Sequence, residues 1–128
     1  PNAGNEAFRE SQRAVAELPE FQGNVLAVET APFWDERLAA IDEKRGQIRQ
    51  KAHLLKTENK NHENADGSLS NEEQKAIVDA LTAELLTEED LTLEARGKSN
   101  AGYHYLGSAR TMSLIGQAFA EALLEDAP

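Results

Sequence analysis

The chain has 128 residues, 40% of them hydrophobic and 5% aromatic, with 23 acidic against 13 basic side chains and a formal net charge of −10. That length suits one domain, and the abundance of Ala, Glu, Leu, Gln and Lys favours helix over sheet. The negative field opposes a phosphate backbone, the apolar runs are too short for a bilayer, and zero cysteines exclude disulfides and thiolate sites. Neither nucleic acid nor membrane is therefore an expected partner, and no cofactor is implied.

Residues Asn5 to Leu18 read as a helix, with Phe8, Ser11, Val15 and Leu18 on one face and Pro19 forbidding continuation. Gly23 and Asn24 then turn the chain into VLAVET, residues 25–30, a short apolar run that predicts a strand closed by Ala31 and Pro32. A lone strand leaves its ladder groups unpaired, so its partners must lie elsewhere. The chain begins at Pro1 and its only methionine is Met112, so the rest of a buried parallel sheet is expected upstream, in a missing part of the same domain. Pairing between two copies of the chain is the competing explanation.

Asp35 is a natural cap for a long helix to Leu55, with Leu38, Ile41, Arg45, Ile48 and His53 to Leu55 on or near one stripe. A polar loop spans 56–69. Ser70 and Glu73 then form a capping box for a helix through Leu86 with Ile77, Leu81 and Leu85 as its buried face. Thr87 and Asp90 repeat that pattern for a shorter helix, which Gly97 ends. Residues 35–98 thus read as an acidic helical insert, followed over 99–125 by a polar loop carrying His104 and by a terminal helix. Gly107 allows a sharp entry and Ser108 can cap. Met112, Ile115, Phe119, Ala122 and Leu123 recur at three- and four-residue steps, and Gly116 within them suggests a close backbone approach.

Four features bear on chemistry. His104 can serve as a general base where a nucleophile reaches it, since imidazole titrates near neutrality, or it can fill space between Tyr103 and Tyr105. The loop from His62 to Glu73 places oxygen donors at Asn64, Asp66, Ser70 and Glu73, the third, fifth, ninth and twelfth positions of an EF-hand loop. His62 occupies the first position, where aspartate is needed, so a turn at Asp66-Gly67 and a helix cap explain the same residues without calcium. The carboxylates Glu84, Glu88, Glu89, Asp90 and Glu94 read as a solvated face, and His53 as a packing residue. Trp34 and Phe33, after the predicted strand, can pack in a core or line a ligand site at the strand end.

The block NAGYHYLGSARTMSLIGQAFAEALL resembles the C-terminal end of the sialate O-acetylesterase-like carbohydrate esterases, a branch of the SGNH hydrolases. FRESQRAVAELPEFQGNVLAVETAPFWD is similar to the helix and last core strand that precede that ending, and LTEEDLTLEARGKSNAGYHYLG continues the likeness. The resemblance implies an α/β fold: residues 1–128 as the C-terminal part of a flavodoxin-like three-layer α/β/α hydrolase, mostly helical here, with one core strand. It implies removal of acetyl groups from sugars by a serine nucleophile, with His104 as the catalytic histidine, and an extracellular or periplasmic setting. No serine here sits in the family's Gly-Asp-Ser setting, so the chain alone is expected to be catalytically incomplete. Where the family often has Asp, three residues before the histidine, this chain has Ala101. Asn100, Ser99 and Trp34 are the nearest candidates for orienting the ring or lining the substrate. A small helical calcium-binding or interaction module is the alternative.

Overall fold

A computed structural model of the chain describes residues 3–56 and 62–125. Five α-helices follow one another: α1 (Ala3–Ala14), α2 (Glu36–Leu54), α3 (Asn71–Leu85), α4 (Glu88–Gly97) and α5 (Ala109–Glu125), with short 3₁₀ segments between them. Among the described residues there is no strand, so the expected α/β SGNH-type fold with one core strand is corrected to an all-helical one. Residues 25–30 carry no ladder. The reason lies in pairing: a strand persists only where a second strand takes up its N–H and C=O groups, and no segment supplies one.

The described chain divides into two units. In the first, residues up to Trp34 with those from Ala109 onward, α1 ends earlier than the sequence suggests. Val15–Glu17 tightens into a 3₁₀ turn, and Leu18, restricted by the following Pro19, is extended at φ −67° and ψ 138°. The Thr111 hydroxyl donates to the Phe33 carbonyl at 3.1 Å, tying the start of α5 to the 3₁₀ turn Ala31–Phe33. The apolar stripe of α5 is not the buried face its spacing suggests. Phe119 is 47% and Leu123 68% exposed, and Phe8 on α1 is 64% exposed. A stripe is buried only by an apolar surface of matching size, and this unit has α1 and short turns to offer. Gly116 has open space where a Cβ would stand, which corrects the expected close approach.

In the second unit, residues 35–108, the local signals are realised. The Asp35 carboxylate accepts the Leu38 N–H at 3.1 Å, and both predicted capping boxes form, Ser70 with Glu73 and Thr87 with Asp90. The buried aliphatic side chains among the described residues, Leu38, Ile41, Ile48, Leu55, Leu86 and Leu106, all belong to this unit. Val78, Leu81 and Leu85 of α3 and Leu93 of α4 pack against Ile41, Ile48 and Leu86. Gly97 lies so near α2 that a Cβ there would stand 3.2 Å from a Leu38 methyl.

Glu84, Glu88 and Glu89 are exposed, as a solvated face requires, while Asp90 and Glu94 are half-buried in a seam against α2. Arg37 donates to Glu89 at 2.8 Å, Lys44 to Asp90 at 2.9 Å, Arg45 Nε to Glu94 at 2.9 Å, and Lys98 to Asp42. Arg45 shares the stripe of Ile41 and Ile48, and its half-buried head meets the Glu94 carboxylate. His53 is exposed, not packed, because the stripe reaches the core through Leu55 instead.

Candidate functional site

The loop between α4 and α5 is built from its two ends inward. The Leu106 carbonyl accepts both the Ser99 N–H at 2.9 Å and the Asn100 N–H at 3.0 Å, and the Ala101 carbonyl accepts the His104 and Leu106 N–H groups at 3.0 and 3.1 Å. The Ser99 hydroxyl donates to the Gly107 carbonyl at 2.9 Å, and the Asn100 side-chain oxygen accepts the Ala101 N–H at 2.8 Å. These bonds close the loop into a ring. Ser99 and Asn100, the candidates for orienting the histidine, both bond backbone groups of the loop that carries it.

Within that ring the backbone is strained. Tyr105 and Leu106 both have left-handed conformations, with φ 52° and 58°, which cost about 1–2 kcal/mol for each such L-residue. Gly107 follows at φ +63°, and a Cβ there would stand 2.2 Å from the Ser99 hydroxyl oxygen. What holds the strain in place is Leu106. Its side chain is 1% exposed, and the loop rests on α2. The two residues before Tyr105 lie on the outside of the same loop. Tyr103 is 82% exposed, His104 is exposed, and their rings meet edge to face with centroids 4.4 Å apart.

His104 is thus an accessible imidazole on a backbone fixed from below, the presentation that proton transfer to and from a bound molecule needs. Among the described residues no carboxylate or hydroxyl hydrogen-bonds its ring, whose recorded neighbour is Tyr103. Trp34 belongs to the other unit. The sequence shows the histidine and the bracketing glycines. It hides the left-handed pair, because neither tyrosine nor leucine announces positive φ; the one signal is a four-residue apolar and aromatic segment, too short for a helix, caught between Gly102 and Gly107.

The candidate calcium loop has its oxygens in other service. Asn64 is fully buried; its amide donates to the Leu55 carbonyl at 2.7 Å and its oxygen accepts the Leu69 N–H at 2.8 Å. Asp66 accepts the Ser68 N–H at 3.0 Å, and the Ser68 hydroxyl and backbone hold its carboxylate below the ordinary range. Ser70 and Glu73 accept one another's N–H groups, at 3.2 and 2.8 Å. These residues serve as a bridge, a turn and a cap. Part of the polar loop before them, 57–61, lies outside the described residues. Set beside known protein families, curated proteins and solved structures, the chain matches none of them.

Proposed function

We propose that the chain takes part in the hydrolysis of O-acetyl esters on carbohydrates by a serine and histidine mechanism, contributing His104 as the base. The observation that carries this reading is the presentation of His104: an exposed imidazole on a loop whose strain is held by a buried Leu106 and a ring of backbone bonds. The resemblance of the surrounding block to carbohydrate esterases supplies the chemistry. A serine from another segment of the same protein attacks the acetyl carbon while His104 takes its proton. The sugar oxygen leaves with that proton, and the acetyl group remains on the serine. His104 then draws a proton from water, the hydroxide attacks the acyl-serine, and acetic acid and free serine result. Ser99 is not that nucleophile in this reading, because its hydroxyl is committed to the Gly107 carbonyl.

The test is acetate release from acetylated sugars by the protein in its natural reading frame, beside its His104→Ala variant. Loss of at least a thousandfold in kcat is expected, in line with removal of a triad base. Equal rates in the two proteins would remove His104 from the mechanism, and absence of acetate from both would overturn the hydrolase reading. The second reading, an interaction module, is favoured by the exposed Phe8, Phe119 and Leu123. It requires binding of a dye that senses apolar surface, and competition for that binding by a partner helix.

A further inference from the structure

We propose that Tyr103 is the sugar-binding platform of this site, stacking on the ring face of the acetylated pyranose whose ester His104 serves; the inference rests on the hydrolase reading above. Three observations carry it. Tyr103 is 82% exposed, the most exposed of the large hydrophobic side chains among the described residues, so its ring face is open to a ligand beside the imidazole. It touches His104 edge to face at 4.4 Å, so a molecule lying on the tyrosine has its substituents within reach of the imidazole. Both rings are exposed in the loop whose left-handed Tyr105 and Leu106 accompany a buried Leu106.

The chemistry selects the ligand. An aromatic face is negative and attracts the weakly positive C–H groups that line one face of a pyranose, whereas the hydroxyls point sideways to water or to polar groups. The loop offers no competing charge: residues 99–107, SNAGYHYLG, contain no Lys, Arg, Asp or Glu. Recognition here therefore proceeds by shape and stacking, and the phenol oxygen is not required for it.

The test compares an O-acetylated methyl pyranoside with ethyl acetate, which has the same scissile bond and no ring, in the protein with its natural reading frame. In Tyr103→Ala the KM for the pyranoside is expected to rise about tenfold with kcat changed less than about threefold, the signature of lost binding rather than lost chemistry. The KM for ethyl acetate is not expected to follow, and Tyr103→Phe is expected to restore the pyranoside value. In the full chain carrying His104→Ala, titration with the pyranoside is expected to shift the Tyr103 ring protons. An unchanged pyranoside KM in Tyr103→Ala, where His104→Ala abolishes hydrolysis, would overturn the platform and leave the hydrolase standing. A parallel rise for ethyl acetate would make Tyr103 a prop for His104 and overturn the platform likewise. Hydrolysis of both esters untouched by His104→Ala would overturn the two readings together.

Discussion

Leu106 and Gly107 carry opposite burdens in the same turn. Leucine holds a conformation that costs it about 1–2 kcal/mol because its side chain is sealed in the core, whereas glycine is present because nothing larger fits. Gly107→Ala adds a Cβ that meets both the Ser99 hydroxyl and the Asn100 backbone nitrogen, so the loop must open. Urea unfolding should show a loss of about 2–4 kcal/mol, with the edge-to-face contact of Tyr103 and His104 lost from the NMR spectrum. Gly116 is the converse case. It sits inside α5 with open space around the missing Cβ, and Gly116→Ala should stabilise the chain by about 0.5–1 kcal/mol, read as a higher Tm. The sequence suggests a sharp entry at Gly107 and a close approach at Gly116; the atoms beside them place the close approach at Gly107 and leave Gly116 open.

At the scale of elements, α3 and α4 are held at their starts by the two capping boxes, and α4 is held along its length by cations of α2. Asp90 does both jobs. Its carboxylate accepts the Lys44 ammonium and the Thr87 N–H, which keep it below the ordinary range, while the Ser70 N–H does the same for Glu73. Unfolded carboxylates take up protons near pH 4. Because the folded values lie lower, the caps contribute their full stability above that pH and lose it as the pH falls through the folded values. Helical circular dichroism should hold steady from pH 7 to about pH 5 and decline below about pH 4. Asp90→Asn should flatten that decline, and an equal slope in the variant would remove Asp90 from the account. These helices were legible in the sequence because a cap is a local event, decided by side chains three residues apart. The ion pairs of Glu89, Asp90 and Glu94 escape such local reading, because their partners, Arg37, Lys44 and Arg45, stand some fifty residues away.

Across the whole molecule, burial is unevenly distributed. Among the described residues the enclosed aliphatic side chains fall within 35–108, while α1 and α5 keep much of their apolar surface in water. A chain reduced to residues 35–108 should therefore unfold as one cooperative transition by circular dichroism, and limited proteolysis of the full chain should leave that segment as the surviving core. A gradual, non-cooperative melt of 35–108 would contradict the assignment of the core to this unit. The two largest departures from the sequence reading have the same origin. VLAVET has the composition of a strand, and Met112 to Leu123 the periodicity of a buried helix face, but both patterns describe only one side of a contact. Whether the other side exists is not written in the segment itself. The turn that carries His104 was legible for the opposite reason, since glycines at 102 and 107 mark a turn without any distant partner.

The ring of hydrogen bonds at the base of the histidine loop has one more consequence. Ser99, Asn100, Leu106 and Gly107 join the two strands of the loop at its neck, so the tip is mechanically insulated from the helix that precedes it. A tip fastened in this way behaves as an exchangeable cassette. Gly102 and Tyr103 can be replaced, and through them the chemistry displayed to solvent retuned, without the change being felt in the packing of α4 on α2. The neck, in contrast, tolerates almost nothing, and variation in descendants of this sequence should concentrate at the tip and stop abruptly at its fastening.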